Sequence, residues 1–133
     1  IVMAAAVADY RVAKPAKQKL KRSVLGAKTT LELVANPDIL AGLGKRRKRP
    51  LLVGFAAETE NVVANARKKL AAKHCDLIVA NDVAEPGAGF AVDTNRVTLV
   101  DAVGATEVPA GTKAIVAHRI LDRVVGMLGK TKR

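Results

Sequence analysis

The chain has 133 residues, half of them apolar, and carries 23 Lys and Arg against 12 Asp and Glu, a formal charge of +11. This length specifies one domain able to bury a core, and the charge favours anionic partners: nucleotides, phosphorylated metabolites, nucleic acid or acidic membrane surfaces. The longest clean apolar run, Ile1 to Ala8, is far too short to span a bilayer; a single cysteine, Cys75, excludes an internal disulfide and fits a reducing cytoplasm.

In chain order, Ile1 to Ala8 is β-branched and small, the pattern of a strand buried on both faces. It opens with no lead-in, so the chain reads as the later portion of a domain whose N-terminal part is missing. Asp9 to Lys28 has no clean period, contains Pro15 and Gly26, and reads mostly as loop; seven basic residues run from Arg11 to Lys28 before any further acid. "TTLELV", Thr29 to Val34, alternates as a strand does. "NPDILAGLG" predicts a helix with Asn36 as N-cap, Pro37 in the first turn, Asp38 at the favourable end of the dipole and Gly44 as terminator. "KRRKR", Lys45 to Arg49, reads as a solvated connection.

"LLVGFAA", Leu51 to Ala57, is a second buried strand. Glu60 to Lys73 predicts a helix whose stripe is Val62, Val63, Ala66, Leu70 and Lys73, and "DLIVAND", Asp76 to Asp82, a third buried strand. Strand, helix and strand at these lengths make a parallel crossover unit. "EPGAGF" is turn material, and its Gly87 to Gly89 is no dinucleotide fingerprint because no helix follows. Arg96 to Pro109 predicts a hairpin around Gly104, and Thr112 to Leu128 a final helix with Ile115, Val116, Ile120, Leu121, Val124 and Leu128 on one face.

Buried strands alternating with helices specify a parallel α/β sheet, in which ligands sit beyond the carboxyl ends of the strands. Three strands end there in "ADY", "GFAAE" and "ANDV". Asp9 can hold a magnesium ion bridging phosphates or meet a ribose hydroxyl; it can equally cap a turn. Of Lys14, Lys17, Lys19, Lys21 and Arg22, one can serve a phosphate chain while the rest are solvated. Lys69 and Lys73, four residues apart, share a helix face that can present two cations to a triphosphate or simply complement the helix dipole. Phe55 can wall off a flat base or fill the core. Asn81 and Asp82 can orient a substrate or hold a turn. His74, Cys75 and His118 lack a metal-ligand spacing.

Seven motifs stand in order: "AAVADYR", "KQKLKR", "LELVANPDIL", "VGFAAETEN", "ARKKL", "DLIVANDV" and "GFAVDTNRVTL". Together, over residues 3 to 125, they resemble the phosphopantothenate–cysteine ligase domain of bacterial coenzyme A biosynthesis, usually the C-terminal half of a bifunctional flavoprotein whose other half is a decarboxylase. The resemblance implies a Rossmann-like fold with an added β-hairpin dimerisation element, of which residues 1–133 form the C-terminal portion as a single domain. It also implies a cytoplasmic homodimer that uses CTP with Mg2+ to join 4'-phosphopantothenate to cysteine through an acyl-cytidylate; FMN belongs to the decarboxylase half.

Residue by residue, the resemblance matches Met3, Ala4 and Ala5 to the strand backbone that reads the nucleotide. It matches Asp9 to a CTP- and metal-associated acid, and Lys19 to the lysine acting on the triphosphate in the first half-reaction. Pro37, Asp38, Ile39 and Leu40 match a nucleotide-contacting helix start, Phe55 the residue beside the nucleotide, and Lys69 and Lys73 the helix lysines that meet CTP. The family's glycine-rich first loop and its asparagine acting on the acyl-cytidylate lie upstream of Ile1, so this polypeptide alone is expected to bind nucleotide weakly without turnover. The competing reading, a basic nucleic-acid-binding module, explains the charge directly but has only Tyr10, Phe55 and Phe90 for stacking.

Overall fold

The computed structural model describes residues 1–83 and 92–130. In chain order the elements are β1 (Val2–Met3), β2 (Tyr10–Val12), α1 (Arg22–Leu25), β3 (Leu33–Ala35), α2 (Ile39–Gly44), β4 (Val53–Glu58), α3 (Val62–Lys73), β5 (Leu77–Asp82), β6 (Thr94–Val100), β7 (Ala105–Thr112) and α4 (Lys113–Lys130). Two compact units result, one of residues 5–39 and the other of residues 1–4 with 40–133.

The larger unit is built on a five-stranded sheet in the order β1-β4-β5-β6-β7. β1, β4 and β5 are parallel; β6 and β7 are antiparallel additions that close the predicted hairpin. The apolar run of β5 is explained by burial on both faces. Leu77 and Val79 join Val53, Val97, Leu99 and Val108 under Val116 and Ile120 of α4, whereas Ile78 and Ala80 join Leu52, Ala56 and Val100 against Ala66 of α3. Leu40 and Leu43 of α2 pack on this second cluster, and Gly54 of β4 makes room for them: a Cβ there would sit 2.7 Å from a Leu40 methyl. Gly44 is equally constrained, since a Cβ would fall 1.9 Å from the Lys73 carbonyl oxygen at the end of α3.

Several expectations change. The opening run contributes only two residues of strand, and Ile1, Val2 and Val7 are exposed, because β1 is an edge strand paired with β4 alone among the described residues. The basic segment is not all loop: Tyr10–Val12 pairs antiparallel with Leu33–Ala35, and α1 adds one turn. The strand expected over Thr29 to Val34 is correspondingly short and begins at Leu33. On α4 the packed stripe is Val116, Ile120, Val124 and Met127; Ile115, Leu121 and Leu128 are exposed. Pro109 does not end the hairpin. β7 runs on to Thr112, and because it is an edge strand the missing N–H of the proline costs no sheet bond. A register shift between Asn95 and Val97 accommodates this stretch, and Thr112 then accepts the Ile115 N–H to start α4. The turn segment "EPGAGF" lies outside the described residues, which omit 84–91.

Two carboxylates lock the larger unit. Asp76, just before β5, accepts the Leu52 N–H at 2.7 Å and a two-pronged hydrogen bond from Arg49. Arg49 is therefore no solvated member of the basic run, although Lys45 to Lys48 are exposed. Asp101 accepts the Val103 and Gly104 N–H groups at 2.9 and 3.1 Å, tightening the β6–β7 turn, and pairs with Arg123 of α4. Burial pushes both carboxyls up, but the arginine and backbone hydrogen bonds outweigh it and hold both below the ordinary 3.8. A lowered carboxyl stabilises the fold fully above its unfolded value and ceases to do so as pH falls through the folded one. Denaturant unfolding should therefore show stability falling below about pH 4, with a shallower acid slope in an Asp76→Asn, Asp101→Asn double variant; an unchanged slope would count against these locks.

Candidate functional site

The parallel pairing sets the site. Val2 lies opposite Val53 and Met3 opposite Gly54, so the end of β1 runs beside Phe55. β4 and β5 stay in register to their last residues, Ala57 opposite Asn81 and Glu58 opposite Asp82, which places four polar or small side chains along one carboxyl edge. Within the larger unit Met3 thus lies opposite Gly54, next to Phe55, and Ala4 follows it in the chain. Phe55 is 38% exposed although its neighbours Gly54 and Ala56 are buried. An aromatic ring left in water in mid-strand is available to a flat, apolar surface.

Strand alternation divides the edge into two faces. Val53 and Phe55 point to the face packed by α4, and Gly54, Ala56 and Glu58 to the face packed by α3. A ligand touching both Phe55 and the α3 side must cross the carboxyl edge of the sheet.

α3 begins at this edge. Asn61 takes a left-handed conformation, φ 49°, letting the chain turn directly from β4 into the helix, and the helix runs back toward the amino ends of the strands. Lys69 reaches the edge: its Nζ lies 2.7 Å from Glu58 Oε1. That oxygen is buried and accepts no hydrogen bond of good geometry, so the contact is an ion pair held by proximity and charge. The other carboxylate oxygen accepts from Asn65 Nδ2 at 3.1 Å, and Asn65 also donates to the Glu60 carbonyl at 3.1 Å. Lys73 shares the helix face with Lys69 but is the last residue of α3, about 6 Å further from the edge. Its backbone abuts Gly44, and the left-handed His74 caps the helix there. The four-residue spacing thus gives a common face and two different depths.

The smaller unit holds Ala5, Asp9, Lys19, Pro37, Asp38 and Ile39. Asn36 is not a helix N-cap, since α2 starts at Ile39. Its side chain instead donates to the Ala8 carbonyl at 2.7 Å and accepts from Arg11, which also donates to Ala35, while its N–H donates to the Asp9 carbonyl. Those bonds clamp the Tyr10–Ala35 end of the β2–β3 ladder and fix the Asp9 backbone, while Asp9 itself stays exposed. Lys19 is exposed, three residues before the one-turn α1. Leu40 belongs to the larger unit and packs in its core. Among the described residues no three His, Cys, Asp or Glu groups gather as a metal cage. A magnesium ion carried by phosphates needs only one or two protein carboxylates, which Asp9 fits.

Glu58 and Asn65 were not singled out from the sequence. The available signal was the acid closing "GFAAE" at a strand's carboxyl end, one helical entry before a lysine-rich face. A shallow cavity of about 210 Å³ lined by Arg67, Leu70 and Asp101 to Gly104 holds none of the expected residues.

A parallel-rich sheet with helices on both faces defines a Rossmann-like domain. The chain matches, over residues 1–128, the family described as the DNA/pantothenate metabolism flavoprotein C-terminal domain, and it belongs to that family. It is 45% identical over 132 residues to the coenzyme A biosynthesis bifunctional protein CoaBC of Bacillus subtilis strain 168, covering 98% of this chain and 32% of that protein. To the Escherichia coli K12 protein of the same name it is 44% identical over 123 residues, 91% of this chain and 30% of that one. The chain spans about a third of the length of these relatives. A crystal structure of the C-terminal domain of a CoaBC protein superposes with a TM-score of 0.73 at 37% identity, covering 97% of this chain and 54% of that one.

The Asn36 clamp gives a local test. Asn36→Ala removes two side-chain bonds, each contributing about 1 kcal/mol net. Amide exchange at residues 10–12 and 33–35 should accelerate about thirtyfold while β4 and β5 are unaffected; unchanged protection of the ladder would contradict the clamp.

Proposed function

We propose that the protein acts in coenzyme A biosynthesis as the CTP-dependent ligase that joins 4'-phosphopantothenate to cysteine. Family membership supports the pathway, and the named relatives are coenzyme A biosynthesis proteins. The observation that carries the nucleotide part is the partly exposed Phe55 ring beside the end of β1, on the strand whose carboxyl end carries the Glu58–Lys69 pair.

In this reading a carboxylate oxygen of 4'-phosphopantothenate attacks the α-phosphorus of CTP. The bond to the bridging oxygen breaks, and pyrophosphate leaves with that electron pair. The cysteine amine then attacks the acyl carbon of the acyl-cytidylate; a C–N bond forms, the C–O bond to CMP breaks, and the amine proton passes to solvent. Lys19 acts as the catalytic lysine of the first step, countering charge on the triphosphate as it shifts toward the leaving pyrophosphate. Lys69 and Lys73 supply further positive charge. The backbone of Met3, Ala4 and Ala5, with Pro37, Asp38, Ile39 and Leu40, binds the nucleoside, and Phe55 walls the base. Asp9 would hold Mg2+, which would supply charge neutralisation at the triphosphate. The reaction needs no FMN, and a homodimer through β6 and β7 fits the largely exposed face of β7. A nucleic-acid role draws no support from Arg49, which is committed to Asp76.

Phe55→Ala removes an already exposed ring, so its melting temperature should stay within about 2 °C of the parent. Calorimetric affinity for Mg·CTP should fall about tenfold, the scale of one lost base–aromatic stack. A variant that binds CTP as the parent does sinks the assignment of Phe55, and a parent that binds RNA steeply with salt but ignores CTP sinks the ligase reading.

A further inference from the structure

We infer that Glu58 is a positioning residue for Lys69, holding its ammonium at the carboxyl edge of the sheet in readiness for a nucleotide's phosphates; this rests on reading Lys69 as a phosphate-binding lysine. Lys69 lies seven residues into α3 from Val62, so its Cα sits about 10 Å back from the edge where the helix starts. Helical side chains lean toward the helix N-terminus, here toward the edge, but a four-carbon stem alone does not choose one direction. Glu58 chooses it. As the last residue of β4, it stands on the α3 face of the edge, its side chain only 13% exposed and its Oε1 2.7 Å from Lys69 Nζ.

Glu58 is in turn fixed. Asn65, one turn before Lys69 on α3, donates to its second oxygen and is itself tied to the Glu60 carbonyl. Strand end, turn and helix are thereby linked through one carboxylate. The Lys69 side chain remains 44% exposed, so the ammonium keeps an open side toward solvent for an incoming phosphate. A lysine already held loses less freedom on binding than one that must be captured, which is the usual advantage of preorganisation. The arrangement also separates Lys69 from Lys68, its exposed sequence neighbour, and from Lys73 one turn deeper, as the cation delivered to the edge.

Amine acylation read by peptide mass spectrometry, with and without Mg·CTP, tests this on the purified protein, with Lys68 as internal reference. In the parent, Lys69 should react about fivefold more slowly than Lys68, and CTP should slow it further. In Glu58→Gln, Lys69 should react at about the Lys68 rate, and its protection by the same CTP concentration should drop at least about threefold, with Lys68 unchanged. Protection by CTP that persists in full in Glu58→Gln overturns the inference and leaves the nucleotide reading standing. Absence of CTP protection in the parent removes Lys69 from the nucleotide site and overturns both. Should Glu58→Gln fail to fold, Asn65→Ala keeps the charge but frees the carboxylate; a change of about twofold in the same direction supports the role and no change overturns it.

Discussion

The pairing of β4 with β5, in register from Val53 opposite Leu77 to Glu58 opposite Asp82, is the constraint on which the larger unit depends. Both strands bury side chains on both faces, so neither can slip by a residue without driving those side chains into solvent. That register fixes which residues stand at the carboxyl edge, and the parallel addition of β1 fixes what lies beside Phe55. Asp76 secures the other end of the same pair by binding both the Leu52 N–H and Arg49. The site's geometry is thus largely a consequence of core packing, with the left-handed Asn61 turning the chain into α3 at the edge.

Much of this unit was legible in the sequence, because doubly buried strands leave a continuous apolar signature that half-buried strands do not. "LLVGFAA" and "DLIVAND" matched β4 and β5 to within two residues, and the hairpin about Gly104 and the final helix followed from turn and period signals. The opening run misled for the same reason: Ile1 to Ala8 is as apolar as a central strand, yet here it presents a short edge with exposed Val2 and Val7. A strand was expected over Thr29 to Val34, but its pairing with β2 was missed because the three-residue β2 carries Arg11 and the pair is held by Arg11 and Asn36, side-chain bonds between positions about 25 apart that no local pattern encodes. Asn36 looked like a helix cap because an asparagine followed by Pro and Asp is what a helix start presents.

The candidate site divides in the same way. The resemblance indicated Phe55 and Lys69, and the structure explains how each becomes available, one as an exposed ring on the α4 face and the other as a cation drawn to the edge on the α3 face. Lys73, equivalent by spacing, is set apart only by depth along α3. Glu58 was hidden because an acid at a strand end has many ordinary uses; its role emerges from contacts with residues seven and eleven positions later. High net charge, the most conspicuous feature of the chain, proved the least informative, since Arg49 and Arg123 serve the fold by pairing with Asp76 and Asp101.

A crystal structure with a non-hydrolysable CTP analogue and magnesium tests the account most directly. A single nucleotide lying across the carboxyl edge, its cytosine against Phe55 and a phosphate oxygen within ion-pair reach of Lys69, is the outcome that follows from the geometry described above. Nucleotide density confined to the Arg67–Asp101 cavity, with both Phe55 and Lys69 untouched, contradicts it.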